Sequence, residues 1–133
     1  MDRTGQSVVY LDTHIVCWLY EGDIERLSEP AAEVLESTEC LLVSPMVDLE
    51  LQYLYEIGRI SKESGEILAT LGEDIGLQIS DTSFSLLISK AKSINWTRDP
   101  FDRLITSHVM LIENASLVTR DRVIRENCPK AVW

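Results

Sequence analysis

Four acidic residues stand where a folded chain could bring their carboxylates together. Asp12 and Asp121 come at the ends of short apolar runs, while Glu50 and Asp102 lie within segments of helical pattern. Carboxylates crowded into one small pocket raise one another's pKa and cannot all stay ionised. A hard divalent cation such as Mg²⁺ removes this conflict, because it prefers oxygen ligands. The four acids therefore indicate a magnesium site that could orient a water for displacement at phosphorus.

The helix predicted over residues 100–113 is the element around which the other acids are arranged. Asp99 is a good N-cap, and Pro100 suits the first helical position. Asp102 then lies in the first turn, where free backbone N–H groups and the helix dipole favour an anion. Ile105, Val109 and Ile112 form the stripe expected to be buried. A capped helix with a charged first turn explains this stretch taken alone, so the site hypothesis depends on the other acids.

Asp12 and Glu50 can each also be explained without a metal site. Asp12 either caps the helix predicted over residues 14–20 or belongs to a site at a strand end, and the sequence favours neither. Glu50 shares a helix face with Met46, Leu54 and Ile57. A carboxylate buried on that face needs a partner, a metal or a raised pKa, whereas one at the edge of the face reaches solvent.

Apolar runs alternate with amphipathic segments along the chain. Strands are predicted over residues 8–11, 40–43, 77–79, 116–119 and 131–133. Helices are predicted over residues 14–20, 30–37, 46–57, 62–71, 82–94, 100–113 and 122–126, with Phe84, Leu87, Ile88 and Ala91 facing inward. This alternation predicts an α/β fold with a parallel sheet covered on both faces. The strand ends and the helix starts near Ser44 and Asp99 then share one sheet edge, which brings the four acids around one cleft.

The composition is that of one ordinary globular domain over residues 1–133. No run is long enough to span a bilayer, and the polar start lacks the apolar core of a signal peptide, so we expect a cytoplasmic protein. Three widely spaced cysteines, Cys17, Cys40 and Cys128, suggest reduced thiols. The net charge of −10 argues against a broad basic face for nucleic acid. A bound divalent ion or a basic partner protein would offset that charge.

Four motifs occur in order along the chain, at residues 9–13 (VYLDT), 44–50 (SPMVDLE), 99–105 (DPFDRLI) and 118–121 (VTRD). Each motif is weak alone, but the ordered set spans nearly the whole chain. The set resembles the PIN domain, most closely its VapC-type toxin branch, which is homologous to the PilT N-terminal domain.

The resemblance implies a three-layer α/β/α sandwich and an endoribonuclease that depends on Mg²⁺ or Mn²⁺. It also implies an RNA substrate, a homodimer and inhibition by a cognate antitoxin. By motif position, the catalytic and metal-binding acids are Asp12, Glu50, Asp102 and Asp121. The supporting residues are Thr13, Thr119 and Asp99.

Four arginines flank two of these acids: Arg98, Arg103, Arg120 and Arg122. They could bind RNA phosphates, an antitoxin carboxylate or the acids themselves. We expect them to pair with the acids in the free protein, since surface arginines beside acids usually have structural roles. We expect His14 and His108 to serve in packing, His14 half-buried at its helix start, and Trp18 to lie in the core.

Two function classes therefore stay open. The first is the metal-dependent ribonuclease toxin. The second is a catalytically weak or inactive module of the same fold that docks a basic protein partner. A phosphoacceptor receiver domain also puts acids at strand ends, but it requires a lysine where this chain has Arg120.

Overall fold

The computed structural model describes residues 7–133; the polar start at residues 1–6 lies outside this range. Its five strands are β1 (Val8–Leu11), β2 (Leu41–Val43), β3 (Gln78–Ile79), β4 (Ala115–Val118) and β5 (Ala131–Val132). All neighbouring pairs are parallel, in the order β3-β2-β1-β4-β5. The predicted parallel sheet is therefore confirmed, including its two short edge strands.

Within the described range, seven α-helices flank this sheet. They are α1 (Thr13–Glu21), α2 (Glu29–Ser37), α3 (Pro45–Glu56), α4 (Ser64–Ile75), α5 (Phe84–Ala91), α6 (Pro100–Leu111) and α7 (Arg122–Asn127). A short 3₁₀ helix, Ile24–Arg26, links α1 to α2. Parallel strands need crossover connections, and these helices provide them, so the α/β/α sandwich is confirmed. No helix of residues 7–133 is long and apolar enough to cross a bilayer.

The largest errors in the predicted helices concern α4 and α5. Helix α4 begins at Ser64 rather than at residue 62, and it continues past residue 71 to Ile75, where Gly76 with a φ of 74° ends it. Helix α5 is shorter than residues 82–94 at both ends. Its predicted inward face is also wrong in part, because Phe84 and Ile88 are 65% and 39% exposed. Only Leu87 and Ala91 of the predicted set are buried, against Leu104 of α6.

The core forms where the central strand meets the helices on its two faces. Val9, Tyr10 and Leu11 of β1 are at most 2% exposed, and Trp18 of α1 is buried as predicted. In α6, Ile105 and Val109 are fully buried, whereas Ile112 lies just past the helix end and is half-buried. The buried β-branched and aromatic side chains suit a strand covered on both faces.

The carboxyl edge of the sheet positions the candidate residues. Leu11 of β1 pairs with Val118 of β4, and the next N–H, that of Asp12, donates to the carbonyl of Val118 at 3.0 Å. This register puts Asp12 beside Thr119. At the same edge, Ser44 caps α3 by accepting from the N–H of Met46 at 3.1 Å.

Candidate active site

Asp12 is both a helix cap and a buried carboxylate that lines a cleft, so its capping role leaves the predicted site role open. Its side chain is 6% exposed. One oxygen accepts from the N–H of Thr13 at 2.8 Å, and the other accepts from the hydroxyl of Thr119 at 2.6 Å. Burial raises the pKa of Asp12, and these two hydrogen bonds oppose that rise. The carboxylate is thus held in one orientation by donors from both neighbouring strand ends.

Glu50 faces the same strand end from α3. Its Oε1 accepts from the hydroxyl of Thr13 at 2.6 Å, and the residue is half-buried. Burial raises the pKa of Glu50, and the charges of Asp12 and Asp99 raise it further. Glu50 is therefore turned toward the other acids and Thr13 rather than toward bulk solvent.

Asp102 is the acid whose pKa is raised by the largest number of neighbouring acids. It is half-buried in the first turn of α6, where Asp99 caps the helix by accepting from the N–H groups of Phe101 at 2.8 Å and Asp102 at 3.4 Å. Burial is the largest cause that raises the pKa of Asp102 to about 7. The remaining causes are the charges of four neighbouring acids: Asp99, Asp12, Asp121 and Glu50. The four predicted acids are thus electrostatic neighbours around α6.

Asp121 lies at the exposed rim of this group. Its Oδ1 caps α7 by accepting from the N–H of Ile124 at 2.9 Å, and its own N–H donates to the Thr119 hydroxyl at 3.0 Å. Thr119 therefore bonds to Asp12 and Asp121 at once. The structure brings all four acids to one region, but it buries Asp12 and leaves Asp121 open to solvent.

A cleft of about 260 Å³ opens beside the two acids at the strand ends. Its lining residues are Asp12, His14, Trp18, Arg120 and Asp121. The expectation that His14 packs half-buried was wrong, because His14 is exposed and faces this cleft. Its neighbours on α1, Thr13 and Ile15, are buried, whereas the helix phase directs His14 outward.

The expectation that the arginines pair with the acids was also wrong. Within residues 7–133, none of the four forms an ion pair with an acid of the site. Arg103 donates to the carbonyl of Thr97 at 3.0 Å, and Arg122 pairs with Glu126 at 2.9 Å. Arg98 and Arg120 are not paired with these acids either, and Arg120 is exposed. Asp12 and Glu50 instead accept from threonine hydroxyls, and Asp12 and Asp121 accept from backbone N–H groups at the starts of α1 and α7.

The donor set fits a hard divalent cation in its chemistry. All four candidate ligands are carboxylates, which suit Mg²⁺ or Mn²⁺ rather than a soft metal. Burial and the charges of neighbouring acids raise the pKa of Asp12, Glu50 and Asp102, and a cation would relieve that repulsion. In the part of the chain described, no three His, Cys, Asp or Glu side chains are arranged to hold one ion. The carboxylate oxygens of Asp12, Glu50 and Asp121 accept hydrogen bonds from threonines and backbone N–H groups, and these bonds would have to be exchanged for bonds to the ion.

Comparison with known proteins identifies the fold family. A family model for the PIN domain matches residues 9–128, which include all four acids. The chain belongs to the PIN domain family. One PIN relative, ribonuclease VapC22 of Mycobacterium tuberculosis, is 30% identical over 140 residues, which cover 96% of this chain and 99% of that protein. The resemblance in the sequence is thus confirmed.

A solved structure has the same fold as this PIN domain. It is the crystal structure of VapBC2 from Rickettsia felis bound to a DNA fragment from their promoter. The TM-score is 0.59 at 20% sequence identity, with 93% of this chain and 95% of that chain covered. At this identity, the likeness concerns the fold.

A buried polar contact joins the two helices that carry Glu50 and Asp102 in this PIN domain. His108 of α6 is fully buried, and its Nδ1 lies 2.9 Å from the hydroxyl oxygen of Ser44, the cap of α3. Its ring stacks on Tyr10 at 5.7 Å, which agrees with the predicted packing role. Burial lowers the pKa of His108 to about 4. The sequence signals neither contact, because a histidine on an apolar stripe does not identify its partner.

Proposed function

We propose that this PIN-domain protein is a divalent-metal-dependent endoribonuclease and the toxin of a toxin–antitoxin pair. The main supporting observation is the convergence of four carboxyl charges on Asp102 at the carboxyl edge of the sheet. Ribonuclease VapC22 is similar over nearly the whole chain, and the matching crystal structure is of VapBC2, so both comparisons support this proposal.

In this proposal, Asp12, Glu50, Asp102 and Asp121 would hold Mg²⁺ or Mn²⁺. When bound, such an ion neutralises the cluster and lowers the pKa of a coordinated water. Thr119 and Thr13 are positioning residues, since their hydroxyls at 2.6 Å orient the carboxylates of Asp12 and Glu50.

The proposed reaction is hydrolysis of an RNA phosphodiester. The oxygen of a water bonds to phosphorus, the bond from phosphorus to the 3′ oxygen breaks, and a proton passes to that 3′ oxygen. The products therefore carry a 5′-phosphate and a 3′-hydroxyl.

The test replaces single carboxylates by amides of the same shape and compares RNA cleavage by the variants. Glu50→Gln should abolish Mg²⁺- or Mn²⁺-dependent cleavage of a panel of structured RNAs, and Asp12→Asn should do the same. Asp48→Asn is the matched control, because Asp48 is on α3 but its charge is not among the causes that shift the pKa of Asp12, Glu50 or Asp102. Cleavage that survives both neutralisations, or that persists in chelator, would refute the metal-dependent mechanism.

We further propose a protein antitoxin as partner, a homodimer and a cytoplasmic location. The antitoxin partner is supported by the fold shared with the VapBC2 structure, which is bound to promoter DNA. Exposed apolar side chains on α3 and α5, such as Leu49 at 57% and Phe84 at 65%, support self-association. Light scattering of the purified protein, with and without a co-expressed partner, measures both assemblies.

The second candidate function is a catalytically weak or inactive module that binds a basic protein. The net charge of −10 favours it, as do carboxylates that are engaged with their own threonines and backbone. It predicts no metal-dependent cleavage after the partner has been stripped from the protein. Restored cleavage in that experiment would exclude this candidate and support the nuclease.

A further inference from the structure

Two arginines lie over one buried tryptophan. The guanidinium carbons of Arg26 and Arg120 are 5.6 Å and 5.9 Å from the ring centroid of Trp18. Both distances are within the range of a cation–π contact. Arg26 comes from the 3₁₀ helix after α1, whereas Arg120 follows β4. The fold thus gathers two cations that are far apart in the sequence, in a protein with a net charge of −10.

Both arginines face one open cavity, here named the arginine–tryptophan cleft. Its volume is about 440 Å³, and its lining residues are Arg26, Ser28, Arg120 and Trp133. None of these is acidic. Trp133 is half-buried, with its ring tilted against Trp18 at 6.1 Å. The cleft therefore combines two guanidinium groups with part of an aromatic ring.

The polar groups of this cleft have capacity left to bind an anion. Asp23 pairs with Arg26 Nε at 2.8 Å, which uses one edge of that guanidinium. Arg120 forms no ion pair within residues 7–133. The Ser28 oxygen accepts from the N–H of Ala31 at 3.2 Å, so its own proton can still be donated. Guanidinium and hydroxyl donors around one cavity suit phosphate oxygens.

The arginine–tryptophan cleft shares one lining residue, Arg120, with the acid-lined cleft. Arg120 lines both, and Asp12 and Asp121 line the second. A strand of RNA whose phosphate lay at the acids would therefore extend past Arg120. Aromatic rings next to cations are the usual elements of single-strand binding, because any base can stack and every nucleotide carries a phosphate.

We propose that the arginine–tryptophan cleft binds the single-stranded RNA next to the scissile phosphate. Arg26, Ser28 and Arg120 bind a backbone phosphate, and Trp133 stacks on a base. This inference rests on the proposed ribonuclease function and names the part of the surface that brings RNA to an acidic centre. An acidic protein segment could also bind the two arginines, but the acids beside Arg120 would repel it.

The test measures binding of a fluorescein-labelled oligouridine of about 12 nucleotides in chelator, where metal-dependent cleavage cannot occur. Each lost phosphate contact lowers the slope of log affinity against log salt by about 0.7, which is about 5-fold in affinity at about 0.1 M salt. Because both arginines bind the same phosphate, Arg26→Gln with Arg120→Gln should weaken binding about 5-fold and lower the slope by about 0.7. Arg120→Lys should keep most of the slope, since the charge stays.

Arg125→Gln is the matched control. Arg125 is an exposed arginine of α7, five residues from Arg120, and it lines neither cleft. It should leave the affinity and the salt slope unchanged. Trp133→Ala should weaken binding at an unchanged salt slope, and Trp133→Phe should restore it. Thermal melting of each variant shows that the fold is intact.

With Mg²⁺ present, the double arginine variant should raise KM for RNA while kcat stays near that of the unaltered protein. An unchanged oligouridine affinity in the double variant would overturn the proposal. So would unchanged RNA binding combined with weaker binding of polyglutamate, which would assign the cleft to an acidic protein. Failure of the unaltered protein to cleave any RNA would refute the proposed function instead, because the binding assay does not require cleavage.

Discussion

Neutralising Asp102 should stabilise the metal-free protein and weaken its response to metal. The pKa of this carboxyl is raised from 3.8 to about 7, first by burial and then by the neighbouring acids. The folded protein therefore holds a proton there that the unfolded chain has already released. The stability due to this proton is complete below about pH 4 and is lost as the pH rises to about 7. At about pH 8 the ionised side chain destabilises the fold, and Asp102→Asn removes this penalty.

The magnitude follows from the shift. A difference of about 3 pKa units corresponds to at most about 4 kcal/mol. Asp102 is only half-buried, and solvent screening reduces the expected gain to about 1–2 kcal/mol. For a chain of this length, that gain is a rise in melting temperature of about 4–8 °C.

Calorimetry in chelator at about pH 8 measures this gain. The same scans with Mg²⁺ or Mn²⁺ should stabilise the unaltered protein by about 3 kcal/mol at a hundredfold excess over Kd, and the variant by much less. Glu33→Gln, an isosteric neutralisation at an exposed position of α2, should change neither scan. If Asp102→Asn melts at or below the temperature of the unaltered protein in chelator, the inference that ionised Asp102 destabilises the metal-free fold is wrong.

Three further predictions concern the supports of the site. Thr119→Val should lower the free energy of unfolding in urea by about 1–3 kcal/mol, because two hydrogen bonds at the strand ends are lost. Thr106→Val is the control and should lower it little, because that buried hydroxyl has no partner within the described chain. His108→Asn should make the free energy of unfolding depend less on pH in acid. Because burial lowers the pKa of His108, the stability that the neutral ring contributes is present above about pH 6.5 and is lost toward about pH 4, by up to about 3 kcal/mol. Leu87→Ala should lower the free energy of thermal unfolding by about 2–4 kcal/mol, because Leu87 is buried. Phe84→Ser should change it by no more than about 0.5 kcal/mol, because Phe84 is exposed.

Each of these predictions has its own contrary outcome. Equal losses in the two threonine variants would mean that the Asp12 contact adds nothing beyond packing. Parallel pH profiles for His108→Asn and the unaltered protein would show that the buried ring is not kept neutral by the fold. A large loss for Phe84→Ser would mean that the predicted inward face of α5 is right after all.

Local rules in the sequence determined the elements and their order. Asp99 before Pro100 and Ser44 before Pro45 predict where α6 and α3 begin, because a cap and a proline act within one turn. The alternation of strands and helices predicts the parallel sheet, since parallel strands require crossovers. The order of the four motifs predicted the family, and the alternation predicted that the four acids share one edge of the sheet. The bounds of the elements depend on residues close together in the chain, whereas the family depends on motifs spread along it.

Only the tertiary structure decided the state of each side chain. Asp12 is buried and Asp121 is exposed, although both follow a strand, because burial depends on which helices cover each strand end. Arg120 lies on Trp18 rather than on an acid because β4 and α1 meet there, and nothing in the local sequence records that contact. Long side chains take partners from distant segments, so their pairing follows from the packed fold and not from their neighbours in the chain.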